Sequence, residues 1–255
     1  MPPIQEYRYS NWDTRGSDEL EEIEPLRKYV FVCEGSRTEV FYFRALIDRR
    51  NELGLHPLVD LSLWEKTDED EGLSNPQALL RFARREKESN KTLFDPSHDR
   101  MVVVFDLDIY SRVGAGREDV ERRRADFEAI RKDADTGFIL AVTNPSFELF
   151  LLLHAKGAYE RLVLPHEREI LENRKDGGQR YVQRLFTESY GMNPKRNRRV
   201  GSLAGRVETA IEEERFLNHD LDNALTELTC NVGSIIETIR NDRPQNDRAL
   251  PRRTL

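Results

Sequence analysis

The chain has 255 residues, of which 34% are charged and 38% hydrophobic, which allows one fairly large domain, or a domain with a helical extension, under a heavily solvated surface. A formal net charge of −7 excludes a protein that coats duplex DNA by bulk charge, but not one with a local basic groove. Cys33 and Cys230 form no disulfide framework or metal spacing, and neither a charged-then-apolar leader nor a membrane-length apolar run is present, so a soluble cytoplasmic protein is expected.

Residues 1–25 are polar and acidic and predict a flexible arm. An apolar strand over 29–33 follows, ending in Glu34-Gly35. Ser36 with Glu39 fits a capping box, ahead of a helical face formed by Val40, Phe43, Leu46 and Ile47. A shorter strand over 59–63 leads into the acidic loop 68–71, and Asn75-Pro76 starts a second helix with Leu79, Leu80 and Ala83 on its apolar stripe.

The run Val102-Val103-Val104-Phe105-Asp106-Leu107-Asp108 is a strand that ends in two carboxylates. Gly114 and Gly116 interrupt the chain before a charged helix carrying Val120, Phe127, Ile130 and Ala134. A fourth strand is expected over 138–142. Asn144-Pro145 then reads as cap and first turn of a helix with Phe147, Leu149, Phe150 and Leu153.

After residue 160 the strand signals fade, and 176–190, 202–218 and 223–240 read as helices. The expected organisation is therefore an acidic arm (1–25), an α/β domain (26–160), a helical extension (161–242) and a polar tail (243–255). The α/β part should be a mostly parallel sheet flanked by helices, because strands alternate with helices.

Such sheets gather ligands outside the carboxyl ends of their strands, where Glu34, Asp106, Asp108 and Asn144 would lie. If the strand continues as far as Asp108, its period of two places Asp106 and Asp108 on one face, where they can hold one divalent cation. Mg²⁺ or Mn²⁺ takes oxygen ligands and keeps several waters, so a few carboxylates suffice, and an unligated one can act as general acid or base. Turn chemistry alone also places Asp and Glu after strands, and capping alone explains Glu39. Glu148 would suit the first turn of a helix, and His154 a packing role at the end of the same segment. The run Lys195-Arg196-Asn197-Arg198-Arg199 is the densest basic cluster and can hold phosphates.

Three ordered motifs carry a resemblance. They are Val32-Cys33-Glu34-Gly35-Ser36-Arg37-Thr38-Glu39 with Tyr42-Phe43, then Val104-Phe105-Asp106-Leu107-Asp108, then the segment from Thr143 to His154, with Phe150 where a Trp is usual. Together they resemble the RloB-like proteins over residues 27–240, a family found beside bacterial restriction-modification and abortive-infection loci and similar to the Toprim fold. The resemblance implies Glu34 as general acid/base, Asp106 and Asp108 as Mg²⁺ ligands shared with Glu34, and Glu148 as a further ligand. Asn144, Lys195 and Arg198 are the substrate-binding candidates. It further implies metal-dependent cleavage of DNA or RNA, an AAA- or ABC-type ATPase partner, and anti-phage defence; a homo-oligomer is compatible with it.

Two other readings fit the residues. Asp106-Leu107-Asp108 also resembles the opening motif of haloacid-dehalogenase-type phosphatases, with Asp106 as nucleophile. That motif usually lies on the first strand of its domain, whereas a full strand-helix-strand precedes it here. The third reading is a non-catalytic subunit that senses nucleic acid for an ATPase.

Overall fold

The computed structural model describes residues 5–8, 27–66, 75–108, 110, 117–134 and 137–243. In chain order, β1 (Gln5–Arg8) and β2 (Arg27–Cys33) precede α1 (Thr38–Asp48), β3 (Val59–Glu65) and α2 (Pro76–Ser89). Then come β4 (Arg100–Asp106), α3 (Arg117–Ala134), β5 (Phe138–Asn144) and the short α4 (Glu148–Leu152). A π-helical turn (Tyr159–Val163) leads to α5 (Glu167–Glu172), the hairpin β6 (Lys175–Asp176) and β7 (Gln179–Arg180), and α6 (Tyr181–Tyr190). A 3₁₀ helix (Arg198–Arg206), α7 (Val207–Glu214), β8 (Thr229–Cys230) and α8 (Val232–Asn241) complete the order.

Six strands form one sheet in the order β1-β3-β2-β4-β5-β8. The inner pairs β3–β2, β2–β4 and β4–β5 are parallel, and the two outermost strands run antiparallel to their neighbours. The fold is thus α/β with a mostly parallel sheet. Its inner strands read as continuous apolar runs because helices cover both faces.

The pleat sorts β2 residue by residue. Tyr29, Phe31 and Cys33 join the core cluster under α1 and the C-terminal helices, while Val30 and Val32 join the cluster under α2 and α3. Gly201 lets the 3₁₀ helix lie directly on α1, since a Cβ there would stand 2.7 Å from the Phe41 carbonyl oxygen. Arg27 Nη1 reaches Asp242 at 2.8 Å, and the Tyr29 hydroxyl donates to the same carboxylate at 2.8 Å, pinning the end of α8 beneath the sheet.

Several expectations change. Within the polar arm, Gln5–Arg8 is a paired edge strand; its Glu6 lies 3.4 Å from the nearly buried ammonium of Lys28, and Tyr7 donates to Asp48. The remainder of residues 1–25, the loop 68–71, Gly114, Gly116 and the tail beyond Arg243 lie outside the described residues. The expected C-terminal helical extension contributes β8 to the sheet, and Ile236, Leu203 and Phe186 share one core with Phe31 and Phe43. Residues 176–180, expected to open a helix over 176–190, belong instead to the hairpin of β6 and β7. Gly177 and Gly178 have φ of 57° and 88°, which a two-residue hairpin turn accepts and a helix does not. Among the described residues, no helix is long and apolar enough to cross a membrane.

Candidate metal-binding active site

Strand register builds the site. Cys33 pairs with Val104 and Asp106 with Thr143, so the residues just past β2, β4 and β5 meet at one edge of the sheet. Glu34 continues the ladder by donating its N–H to Val104 O at 2.9 Å, and its carboxylate accepts from the Asp106 N–H at 3.2 Å. Asp106 Oδ1 accepts from Thr143 Oγ1 at 2.6 Å and from the Phe147 N–H at 2.9 Å. Among the described residues both bonds fall on Oδ1, which leaves Oδ2 for a ligand.

Glu39 comes from the first turn of α1 and packs over Gly35, where any Cβ would collide with its carboxylate. A side chain at position 35 would push the Glu39 carboxylate out of this place. The capping box is not formed: Arg37 occupies the cap position without a side-chain bond, and Thr38 Oγ1 donates to Pro194 O. Glu148 is buried beside this group and accepts from Ser146 Oγ at 2.7 Å.

Burial, and after it the neighbouring charges, raise the proton affinities of three of these carboxylates. Burial, followed by the charges of Glu39 and Asp108, pushes Glu34 up to about 7, against the opposing pull of the Asp106 N–H and Lys66. Burial and then Glu39, Glu148 and Glu34 raise Asp106 well above the usual carboxylate range. Glu39 is raised by burial and by Glu148, with Lys195 and Lys66 opposing. Lys66 also donates to the Glu34 carbonyl oxygen.

The sequence-predicted residues separate into three groups. Glu34, Asp106 and Glu148 converge, joined by Glu39, which capping alone had seemed to explain. Asp108 arrives by a different route from the one expected. β4 ends at Asp106, and Leu107 turns into the core, donating its N–H to Thr143 O at 2.8 Å. Asp108 therefore reaches the site from a turn, where it acts on Glu34 and pairs with Arg180.

Asn144 neither caps a helix nor faces a substrate. It ends β5, is fully buried, and donates to Ala224 O and Glu227 O at 2.7 and 2.9 Å, because the helix begins only at Glu148. Lys195 is exposed on the rim and acts electrostatically on Glu39, whereas Arg198 stacks over the Phe41 ring at 5.7 Å. Thr143, Lys66 and Arg180 are the site residues that sequence reasoning missed. Thr143 lies one residue and Lys66 three residues past a predicted strand, and the adjacent glycines 177 and 178 are the one local signal for the hairpin that carries Arg180.

His154 is structural. It is wholly buried among Tyr42, Phe150 and the backbone, and burial lowers it to about 3, so its ring is neutral. Nδ1 lies 3.1 and 3.2 Å from the Phe150 and Leu151 carbonyls, which only accept, so Nδ1 carries the proton and Nε2 accepts from the Tyr42 hydroxyl at 2.8 Å. Tyr42→Phe should therefore cost about 1–3 kcal/mol in urea unfolding by orphaning Nε2, with activity per folded molecule unchanged. A drop in activity without a drop in stability would give His154 a part in the chemistry.

The donor set suits a hard cation. It consists of carboxylate oxygens, with Cys33 packed in β2 and Cys230 engaged with Glu214. Among the described residues no three acidic, His or Cys side chains already stand close enough to enclose an ion. Mg²⁺ needs only one or two protein carboxylates with waters completing its shell, so Asp106 at the end of β4 and Asp108 on the turn after it would suffice.

No curated protein and no solved structure gives a match to the chain. The model of one family, described as RloB-like protein, matches residues 29–239. That span is most of the chain and includes every carboxylate of the site as well as the packed His154, so the chain belongs to the RloB-like family.

Proposed function

We propose that this protein is a Toprim-like nuclease that hydrolyses phosphodiester bonds of DNA or RNA with Mg²⁺ or Mn²⁺. The observation that carries the reading is the convergence of Glu34, Glu39, Asp106, Asp108 and Glu148 at the carboxyl edge of a parallel sheet, where burial and then the neighbouring charges raise the proton affinities of Glu34, Glu39 and Asp106. Asp106 and Asp108 would hold a divalent cation here, with Glu148 and Glu34 beside them, and its charge would offset that of the carboxylates.

When bound, the cation supplies Lewis-acid stabilisation of the charge that develops on the phosphoryl oxygens. The protein's own residues do the rest. Thr143 and the Phe147 N–H fix the Asp106 carboxylate through Oδ1, so its other oxygen keeps one direction. Glu34, with a proton affinity matched to neutral pH, moves a proton at the attacking or leaving oxygen. Lys195 and Lys66 on the rim offset the negative charge that would otherwise repel phosphate. An ATPase partner and a role in anti-phage defence complete the proposal, on the strength of family membership.

The test is cleavage of DNA and RNA by the wild type and by the Asp106→Ala/Asp108→Ala double variant, prepared identically, together with Mn²⁺ titration calorimetry. The double variant should lose both cleavage and the Mn²⁺ isotherm. Undiminished degradation by it rejects the nuclease, and phage protection that survives in it points to a non-catalytic subunit.

A further inference from the structure

Arg180 ends the two-residue strand β7 on the hairpin that the sequence disguises as helix. The hairpin is clamped at its base. Asn173, at φ 40°, accepts from the Val182 N–H through Oδ1 at 3.1 Å, and the Tyr181 N–H donates to Arg174 O at 3.1 Å. From this frame the Arg180 guanidinium extends between two acceptors. Nη1 donates to Asn173 O at 3.3 Å, and Nη2 lies 3.5 Å from Asp108 Oδ2.

The two contacts differ in kind. The bond to Asn173 O belongs to the hairpin frame and does not depend on charge. The one to Asp108 is a long, single-point ion pair between side chains 37% and 30% exposed, far from the bidentate fork that makes an arginine–carboxylate pair strong. Asp108 is also the carboxylate that the cation needs, and two positive groups compete for it. Once a cation takes Asp108, the guanidinium stays tethered at Asn173 O with N–H donors facing the site, the planar donor set that matches a phosphate.

We propose that Arg180 is a phosphate-positioning residue of this site, neutralising Asp108 until a divalent cation takes that carboxylate and then turning to a phosphate of the nucleic acid. The inference rests on the reading of Asp108 as a metal ligand. It joins Arg180 to Lys195 and Lys66, so that cations from three separate segments, the β6–β7 hairpin, the turn after α6 and the end of β3, surround one acidic centre.

The experiment uses the full chain and four proteins: wild type, Arg180→Gln, Arg180→Lys and Asp108→Asn. Mn²⁺ affinity is read by calorimetry, and binding of a phosphorothioate-linked single-stranded oligonucleotide is read by anisotropy across a salt series with Mn²⁺ present. Arg180→Gln should bind Mn²⁺ about two- to fivefold more tightly, the worth of a competing exposed ion pair. It should bind the oligonucleotide about tenfold more weakly, with the slope of log K against log salt smaller by about 0.7. Arg180→Lys should restore the slope and only part of the affinity.

Unchanged or weaker Mn²⁺ binding by Arg180→Gln, or an unchanged salt slope, overturns the exchange. Asp108→Asn tells the two failures apart. If it loses Mn²⁺ while Arg180→Gln behaves as wild type, the metal site stands and the role of Arg180 falls. If Asp108→Asn binds Mn²⁺ like wild type, the metal reading of Asp108 and the exchange fall together.

Discussion

Glu34→Gln should lower the rate of phosphodiester cleavage by about 10²–10⁴-fold while leaving Mn²⁺ affinity within a few fold of wild type. The split follows from where the side chain is held. Its carboxylate accepts the Asp106 N–H, a bond that a glutamine oxygen also makes, so the strand edge and Asp106 keep their positions. What glutamine cannot do is carry a proton. Burial with Glu39 and Asp108 alongside sets Glu34 at about 7, so its protonated and ionised forms are both populated near neutral pH. A cation among the same carboxylates shifts the balance toward the ionised form, so the Glu34 limb of the wild-type profile of kcat/KM should lie at or below that value. A rise with pH through the limb marks the ionised form acting as base, and a fall marks the protonated form acting as acid. In Glu34→Gln the limb should be absent. A variant with wild-type rate and an unaltered profile removes Glu34 from the chemistry. One that loses Mn²⁺ binding along with activity makes it a ligand instead.

Much of that site is legible in the chain because strand ends announce themselves. The apolar runs of β2 and β4 stop abruptly at charged residues, and parallel pairing brings successive strand ends to one edge, so Glu34 and Asp106 could be placed together from pattern alone. What pattern cannot supply is the tertiary partner of a polar side chain. The dipeptide Asn-Pro stands both before α2 and before the segment that leads to α4. Asn75 does cap, accepting from the Ala78 N–H at 2.8 Å with Pro76 in the first turn, whereas Asn144 spends its amide on carbonyls of residues 224 and 227, far along the chain. Nothing local distinguishes the two. Likewise, alternation along β4 says nothing about where the strand stops. Two residues of extra strand would have set Asp108 on the face of Asp106, and the turn at Leu107 hands it to Arg180 instead. Arg180 itself sits in a segment whose composition suits a helix, apart from two adjacent glycines.

The same burial and crowding make the cation-free protein less stable as pH rises, and Asp106→Asn should lessen this. Glu34 has a folded-state value of about 7 against an ordinary 4.5, so between those limits the native state holds more protons than the unfolded chain. Stability then falls as pH rises through that window, by about 3 kcal/mol from Glu34 alone, with Asp106 and Glu39 raised in the same direction. His154 works the other way. Held neutral with a value of about 3, it makes the native state the poorer proton binder below its ordinary 6.5, so its contribution is lost as pH falls. Taking the difference between wild type and Asp106→Asn at each pH cancels that term, because His154 packs in the core under Tyr42 in both. Asparagine can still accept from Thr143 and the Phe147 N–H through Oδ1, so the substitution removes charge without removing the two bonds. At pH 8 without divalent cation, Asp106→Asn should unfold at higher urea than wild type, and the gap should narrow toward pH 5. Addition of Mn²⁺ at about 100 times its Kd should raise wild-type stability by about 2.7 kcal/mol and leave the variant nearly unmoved. A variant less stable than wild type at pH 8, or one that gains as much from Mn²⁺, would mean that the carboxylates at this sheet edge are held by protein contacts rather than waiting for a cation.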